Sequence, residues 1–250
     1  VHVANGIYEN CPNDEAHELF KLPEFVNKMM ENKWLGSKTG QGFYKKEGKD
    51  ILTLDLDTLE YRANKKASFA TLELTKTIEK PIDRFKVLVT GKDKAGDFYR
   101  KNFASMFQYC SNRIPEITDA FYKIDDAMKA GFGWENGPFE IWDAIGIEKG
   151  IELMKAEGYQ PASWVTDMLA SGNTSFYSIK DGATHFYSIT NKKVEKIPGQ
   201  DAFIILNNIR ESKKIWNNSD AIITDLGDGI INLEFTSKMN SIGAGVLQGI

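Results

Sequence analysis

The stretch AMKAGFGWENGPFEIWDAIG, residues 127–146, is the most unusual part of the chain. It holds two Trp, two Phe, four Gly and one Pro, together with the acids Glu135, Glu140 and Asp143, and Asp126 directly precedes it. This composition is open to three interpretations: a cofactor-binding box, a catalytic loop, or a device that packs helices closely together. The residues on either side have to decide between them.

A stripe of apolar residues leads into this stretch. Its members recur at alternating steps of four and three, which is the spacing of one buried helix face; they are Phe103, Phe107, Cys110, Ile114, Ile117, Phe121, Ile124 and Met128. Pro115 interrupts the stripe and predicts a kink or two consecutive helices, with Pro115 near the start of the second. We expect Asp125 to cap a short helix that ends at Gly131, and a further amphipathic helix to end at Gly158.

Helix and strand signals are weaker in the N-terminal part of the chain. Residues 14–34 have helical spacing, with Pro23 at a first helical position. A glycine-rich loop then leads to a short strand, and the pattern of 51–62 suits either a strand or a linker. Residues 65–90 predict a helix that breaks before Pro81, followed by another helix.

After Ser171 the pattern changes to short β-rich runs. The near-copies SFYSI (175–179) and HFYSI (185–189) flank a KDGA turn and predict a hairpin, to which KVEKI adds a third strand. Farther along, DAFIIL predicts a strand, AIITDLGDGIINLEF a strand, a turn and a strand, and SIGAGVLQGI a helix. The change from helical to β-rich sequence near residue 160 predicts a domain boundary.

The composition excludes several classes of function. The net charge is −4, from 31 Lys and Arg against 35 Asp and Glu, so nucleic acid is not an expected partner. No apolar run reaches about 18 residues, so no membrane span is predicted. Cys11 and Cys110 lack CxxC spacing, and with only three His they give no zinc-site pattern. This cysteine usage favours a reduced, cytoplasmic setting.

Two segments carry a resemblance to a known enzyme family. WLGSKTGQGFYKK (34–46) resembles the segment that closes the helical C-terminal domain of 3-hydroxyacyl-CoA dehydrogenases. SNRIPEITDAFYKIDDAMKAGFGWENGPFEIWDAIG (111–146) resembles the body of the same domain type, through its Asn-Arg pair, its Asp-x-Ala-Met helix and its Gly-Pro-Phe turn. In a single copy of that domain the loop segment comes last, whereas here it comes first. The resemblance therefore implies tandem copies.

The C-terminal segment SDAIITDLGDGIINLEFTSKMNSIGAGVLQGI (219–250) resembles the first strands and first helix of the crotonase (enoyl-CoA hydratase) fold. The implied organisation has five parts: the tail of a first 3-hydroxyacyl-CoA dehydrogenase C-terminal domain (1–48), a connector (49–96), a second copy of the helical domain (97–160), a β-hairpin linker (161–199) and the start of a hydratase domain (200–250). We expect an interior piece of a dehydrogenase and hydratase fusion.

The fold class implied by the resemblance is mainly α. It consists of tandem helical domains of the 6-phosphogluconate dehydrogenase C-terminal type, followed by a small β-rich segment with the start of a crotonase fold. Because such helical domains often pair with one another, we expect a dimer or an intramolecular pseudo-dimer.

The sequence lacks the motifs that the dehydrogenase reaction of that family requires. Hydride transfer to NAD needs a dinucleotide site, usually with GxGxxG at a helix N-terminus, and this motif does not occur here. The reaction also needs a His base, but the family's His–Glu pair belongs to its Rossmann domain. We interpret His2, His17 and His185 as surface or loop residues. NAD and the CoA thioester substrate are implied for the parent enzyme, with no NAD-binding residue and no metal ligand expected in this chain.

Asn112 is a weak catalytic candidate, because the resemblance aligns it with a substrate-facing Asn. The simpler interpretation is a buried Asn that satisfies backbone groups, with Arg113 beside it paired to an acid such as Asp126. Lys238 and Asn240 are weak candidates for contact with coenzyme A, since they lie where crotonases have a CoA-proximal segment. We interpret the glycine-rich motif as structural, with its acids in caps or buried hydrogen bonds; its members are Gly131, Gly133, Gly137, Pro138, Glu140 and Asp143.

The leading hypothesis is a fragment of a fatty-acid β-oxidation enzyme. The parent oxidises L-3-hydroxyacyl-CoA to 3-oxoacyl-CoA with NAD and hydrates 2-enoyl-CoA. The fragment supplies helical substrate and oligomerisation domains and is inactive alone. The alternative is a stand-alone acyl-CoA-binding or interaction module. A short-acid dehydrogenase of the 6-phosphogluconate type is a third hypothesis, against which the GPFEIWDAIG match argues.

Overall fold

Helices occupy the middle of the chain, and three small antiparallel sheets contain all nine strands. The computed structural model describes all 250 residues, whose contacts divide into two compact units: Val1–Thr77 with Gly91–Ala95, and Ile78–Thr90 with Gly96–Ile250. The α-helices are α1 His2–Asn10, α2 Glu24–Glu31, α3 Ala70–Thr75, α4 Pro81–Thr90, α5 Lys94–Asn112, α6 Tyr122–Phe132, α7 Pro138–Ile145, α8 Ile147–Ala156, α9 Ser163–Ala170, α10 Leu206–Ile209 and α11 Ala244–Leu247. The strands are β1 Tyr44–Glu47, β2 Asp50–Leu54, β3 Tyr61–Ala63, β4 Tyr177–Lys180, β5 Ala183–Ser188, β6 Lys193–Lys196, β7 Lys214–Asn217, β8 Ala221–Gly227 and β9 Ile230–Phe235.

The first unit contains α1 to α3 and the sheet β1-β2-β3. Residues 51–62, which suited either a strand or a linker, form most of β2 and the start of β3. The loop before β1 closes tightly, because a Cβ on Gly42 would lie only 2.7 Å from the Cα of Gly36. Tyr61 fixes this loop to the sheet by donating its hydroxyl hydrogen to the Gly42 carbonyl oxygen at 2.6 Å.

The helix predicted over 14–34 is interrupted. A 3-10 turn occupies His17–Phe20, and α2 begins only at Glu24, with Pro23 in extended backbone before it. The physical reason is that proline disfavours helical backbone in the residue that precedes it. The break predicted before Pro81 is confirmed, since α3 has ended before α4 begins at that residue.

An aromatic cluster forms the core of the second unit. Phe107 stacks on Trp142 with ring centroids 4.8 Å apart and planes 7° from parallel, and both side chains are fully buried. Phe121 packs against further rings, those of Phe139, Trp164, Phe176, Tyr177 and Phe186. The helices α5, α7 and α9 and the sheet β4-β5-β6 are therefore held together by buried aromatic area.

The apolar stripe is split near Pro115, as predicted. After α5 a turn with a cis Ile114–Pro115 peptide bond leads to α6, which begins at Tyr122, so the prediction that Pro115 lies near the start of the second helix is wrong. The prediction fails at Ile117, which is 68% exposed because it lies in this turn and not on a helix face. The helix α6 also runs past the predicted stop at Gly131, and Gly133, with a φ of 67°, ends it in left-handed backbone.

The β-rich part is largely confirmed. The hairpin predicted around KDGA forms β4 and β5, with β6 as the third strand, and AIITDLGDGIINLEF forms β8 and β9 beside β7. The strand predicted for DAFIIL is wrong. Side chains of Gln200 and Asn208 hydrogen-bond Thr184 of β5, and the segment forms a 3-10 turn and α10 instead. With β-structure on both sides of the helices, the class is mixed and not mainly α.

A matched pair of glycines tests the packing of α7 on α8. A Cβ on Gly150 would overlap the indole of Trp142, which is held by its Nε1–H donating to the Ile147 carbonyl oxygen at 3.1 Å. We expect Gly150→Ala to lower the free energy of unfolding by about 1–3 kcal/mol through overpacking. Gly131→Ala in α6, where nothing lies within 4 Å, should raise it by about 0.5–1 kcal/mol. Urea denaturation measures both, and equal effects would contradict this packing account.

Candidate functional site

Charged side chains meet where α6, α7 and β4 come together. The helix α7 begins after Gly137, and Glu140 closes its N-terminus by accepting a hydrogen bond from the Gly137 backbone N–H at 2.8 Å. Lys129 of α6 supplies the cation, with its Nζ 2.7 Å from Glu140 and 3.3 Å from Asp126. The glycine-proline turn thus presents a helix N-terminus to a group of acids.

Asp125 is the fully buried acid of this cluster. Its carboxylate accepts hydrogen bonds from the backbone N–H groups of Phe139 (2.9 Å) and Glu140 (3.0 Å) and from the Tyr177 hydroxyl (2.7 Å). The prediction that Asp125 caps its own helix is therefore wrong: it lies inside α6 and satisfies the first free N–H groups of α7. Gly137 permits the approach, because a Cβ there would overlap Asp125.

Asp143 makes the equivalent connection to the sheet. Its carboxylate accepts hydrogen bonds from the backbone N–H groups of Phe176 (2.7 Å) and Tyr177 (2.9 Å), where β4 begins. Tyr177 is consequently held at its backbone by Asp143 and at its hydroxyl by Asp125. Two carboxylates therefore tie α6, α7 and β4 to one another.

Burial controls the ionisation of these groups. Burial raises the pKa of Asp125 to about 7, against the opposing effect of the hydrogen bonds from Phe139 and Tyr177. Burial likewise raises the pKa of Asp143 to about 6. Burial and the Asp125 charge raise the pKa of Tyr177, so its hydroxyl remains a donor at neutral pH.

The arrangement suits a structural network better than acid–base chemistry. Both oxygens of Asp125, Glu140 and Asp143 accept hydrogen bonds from protein donors. A general acid or base needs a position from which it can reach the substrate, and these oxygens are already engaged. The interpretation of Glu140 and Asp143 as cap and buried hydrogen-bond acceptor agrees with this geometry.

A cavity of about 810 Å³ opens beside the cluster. Its size falls in the range of small-molecule sites, about 300–1,000 Å³. Its charged wall residues, Asp126, Lys129, Glu140 and Asp143, are hydrogen-bonded or ion-paired within the chain. The cavity therefore presents no unpaired charge with which to select a ligand.

Asn112 and Arg113 end α5 and begin the following turn. Asn112 is half-buried, and no hydrogen bond joins its side chain to another residue, so it does not satisfy backbone groups as the simpler interpretation held. Arg113 does pair with an acid, but its partner is Glu116 at 2.7 Å and not Asp126, because Asp126 faces Lys129. Arg113 and Asp126 lie on different helical segments that the turn separates.

Of the remaining candidates, Gly137 and Pro138 adjoin the cluster of Asp125, Glu140 and Asp143, and the others lie apart from it. Gly137 and Pro138 are buried at the start of α7, whereas Gly131 and Gly133 are exposed at the end of α6. The proposed CoA contacts lie on an exposed 3-10 turn after β9, Lys238–Asn240, in which Asn240 has a left-handed φ of 52°. Neither contact lines the cavity beside the cluster.

The histidines make local contacts. His17 stacks on Tyr8, and its Nε2 lies 2.7 Å from the Tyr8 carbonyl oxygen, while Nδ1 of His185 lies 3.1 Å from the Ala183 carbonyl oxygen. No group of three or more His, Cys, Asp and Glu side chains is placed to hold a metal ion. None of the helices combines the length and hydrophobicity that crossing a bilayer requires.

Tyr177 belongs to the cluster but was not predicted from the sequence. Its hydroxyl reaches Asp125 across 52 positions of chain. The available signal was the repeated Phe-Tyr pair of the hairpin, because Phe176, Phe186 and Tyr187 are all buried in the aromatic core. That repetition indicated a strand pair, and it did not indicate which acid the tyrosine meets.

Comparison with known proteins places the whole chain within part of a larger relative. A Bacillus subtilis (strain 168) protein named "Probable 3-hydroxyacyl-CoA dehydrogenase" is 40% identical over 251 residues, covering 100% of this chain and 31% of that protein. A Rickettsia felis and a Rickettsia prowazekii protein, each named "Putative fatty acid oxidation complex trifunctional enzyme", are each 23% identical over 238 residues, covering 94% of this chain and 28% of those proteins. The chain thus spans about a third of the length of the curated relatives it matches.

No family model matches the chain, and no solved structure matches it. Segments 34–46 and 111–146 resemble 3-hydroxyacyl-CoA dehydrogenases. The Bacillus subtilis relative confirms this resemblance. The similarity extends through the segments for which the motifs gave no assignment.

The raised pKa of Asp125 predicts a pH-dependent stability. Folding takes up a proton between the ordinary pKa of an aspartate, 3.8, and about 7, so the stability that this group provides is present at low pH and is lost as the pH rises through about 7. We expect the free energy of unfolding to fall between pH values of about 4 and about 7, and Asp125→Asn to reduce this slope to the part that Asp143 contributes below about 6. The exposed neighbour Asp126, changed to Asn, serves as the control and should keep the slope. Parallel slopes for Asp125→Asn and wild type would refute the assignment.

Proposed function

We propose that this chain is part of an NAD-dependent 3-hydroxyacyl-CoA dehydrogenase of fatty-acid β-oxidation. The observation that carries the proposal is the 40% identity to a protein of that name over the whole chain. In the proposal the parent oxidises L-3-hydroxyacyl-CoA to 3-oxoacyl-CoA and hydrates 2-enoyl-CoA. The trifunctional names of the Rickettsia relatives support more than one activity in the parent.

Residues 1–250 do not fit NAD. The glycine pairs GQGF and GFGW lie in the loop before β1 and at the end of α6, and neither follows a strand and opens a helix as a dinucleotide motif does. The histidines contact local backbone, and no His–carboxylate pair faces a cavity. The proposal therefore assigns hydride transfer and proton abstraction to other parts of the parent, and gives this chain a binding and packing role.

The proposed parts follow the order of the resembling segments. We assign 1–48 to the tail of one helical domain and 97–160 to most of a second copy, joined by the connector 49–96. The aromatic core joins α5 to α8 with α9, β4 and β5, so the second copy packs together with the linker that follows it. The linker 161–199 precedes a hydratase start at 200–250, for which the β8-β9 hairpin followed by α11 is support. The helical parts pair as a dimer or pseudo-dimer, and the parent is cytoplasmic.

Lys238 and Asn240 are the proposed contacts to coenzyme A in the hydratase part. Both are exposed on one turn, where a lysine ammonium can meet a phosphate and an amide can meet the adenine or pantetheine groups. The exposed Met239 between them adds an apolar surface. These contacts concern ligand binding alone and supply no acid or base.

The first test measures turnover by residues 1–250. We expect no NADH, followed by its absorbance at about 340 nm, from L-3-hydroxybutyryl-CoA and NAD, and no hydration of crotonyl-CoA, because the groups for both steps lie elsewhere in the parent. The complete gene product, assayed in parallel, should produce NADH. Turnover by the 250 residues would overturn the division of labour. An inactive complete gene product, or one of only about 28.2 kDa, the mass of this chain, would favour the stand-alone acyl-CoA-binding module.

Asn112 is the proposed minor substrate contact, because its half-buried side-chain amide makes no hydrogen bond within the chain. In the complete gene product we expect Asn112→Ala to lower kcat/KM by up to about tenfold, the value of one lost hydrogen bond, without a change in melting temperature. Asn102→Ala on the same helix is the control, because the Asn102 amide is exposed and donates to the Phe98 carbonyl oxygen. An unchanged kcat/KM in Asn112→Ala would remove Asn112 from the site.

A further inference from the structure

Helix α6 buries an acid and also leaves apolar side chains at an open groove, although Tyr122 and Ile124 pack partly against the core. A helix at a protein surface normally buries its apolar face and exposes its polar face. Here Asp125 and Lys129 face the cluster beside α7, whereas Ile124, Ala127 and Met128 line an open groove of about 650 Å³. We call this the α5–α6 groove; its other apolar residues are Tyr109, Cys110 and Ile117.

Most of the wall of the α5–α6 groove is apolar, and its charged residues are Arg113, Asp119 and Lys123. Burial raises the pKa of the Cys110 thiol to about 12, so it remains neutral at physiological pH. Ile117 is 68% exposed at the edge of the groove, although isoleucine is among the residues most often buried. An open apolar groove of this volume is typical of a site for a small, apolar ligand.

Two cations stand at the rim of the α5–α6 groove. Arg113 pairs with Glu116 three residues on, and Lys123 pairs with Asp119 four residues before it. The side chains of Glu116 and Asp119 are 67% and 70% exposed, whereas that of Arg113 is 21% exposed and lies over the Tyr109 ring. Ion pairs with an exposed acid are weak. A ligand carboxylate can therefore replace them, and the flat guanidinium of Arg113 suits such a group.

We propose that the α5–α6 groove binds an unesterified fatty acid. The alkyl chain lies along Ile117, Ile124 and Met128, and the carboxylate lies between Arg113 and Lys123. The cations border the apolar wall directly, so the charge of the ligand must be attached to the end of its chain. A fatty acid meets this condition, whereas an acyl thioester presents a neutral group there and carries its phosphates far from the chain. The site is additional to the acyl-CoA chemistry of the proposed function.

Calorimetric titration of the 250-residue chain with a ligand series tests the chemistry. Dodecanoate should bind saturably, with an affinity that rises by up to about fourfold for each methylene added from octanoate onwards. Dodecyltrimethylammonium has the same chain and the opposite charge, and dodecanoyl-CoA has a neutral thioester; each should bind at least about tenfold more weakly. Absence of saturable dodecanoate binding, or equal binding of either analogue, would overturn the proposal.

Substitutions on α6 test the location. Ala127→Trp fills the groove from an exposed position and should abolish dodecanoate binding, whereas Ala130→Trp on the same helix lies outside the groove and should leave binding intact. Lys123→Gln should weaken binding by about tenfold, and Lys123→Arg should retain it. Dodecanoate binding that survives Ala127→Trp would place the ligand elsewhere.

Light scattering after gel filtration tests the remaining alternative, in which a second copy of the chain occupies the groove. Ala127→Trp should leave the oligomeric state unchanged, and a dimer that dissociates in this variant would show that the groove is an interface between copies. None of these measurements involves turnover. A failed dehydrogenase assay and a failed fatty-acid titration therefore remain separate results.

Discussion

The buried carboxylate of Asp125 is the interaction on which the second unit depends. One side chain satisfies two backbone N–H groups at the start of α7 and one tyrosine hydroxyl at the start of β4. Each of these donors would otherwise be buried without a partner, which costs about 1–3 kcal/mol per group. The aromatic core can close only when these polar groups are matched, so the position of α7 and of the sheet beside it follows from where α6 places this acid.

Sequence patterns predicted the elements of the fold better than the contacts between them. The interruption near Pro115, the break at Pro81 and the KDGA hairpin are local signals of proline and turn chemistry, and the structure has all three. The role of Asp125 was missed because its partners lie 14 to 52 positions along the chain. DAFIIL failed as a strand for the same reason, since side chains of Gln200 and Asn208 hold it to β5.

The glycine-rich stretch 127–146 allows close packing because side chains are absent at particular positions. Gly137 lets the N-terminus of α7 reach Asp125, and beyond the stretch Gly150 lets α8 lie against Trp142. At both positions only glycine fits. A glycine-rich composition suggests such positions, but it does not show which glycines they are. The same stretch carries Glu140 and Asp143 as hydrogen-bond acceptors with both oxygens of each occupied. Its resemblance to a cofactor box therefore reflects close packing, and its candidate chemistry has to be sought on surfaces that the packing leaves open.

Helix α6 links the core to the open groove, because it carries both the buried Asp125 and apolar residues that line the groove. Successive residues of one helix are about 100° apart, so once Asp125 and Lys129 point toward α7, Ala127 points to the opposite side. Ile124 and Met128 lie between these two directions and are half-buried. That geometry explains why a face is exposed, and it leaves the apolar character of the face unexplained. A polar residue at the exposed position of Ala127 would satisfy the fold and would reduce the exposed apolar surface, which is a liability in water. An apolar ligand that covers the groove gives a physical reason for the side chains that the fold itself does not require.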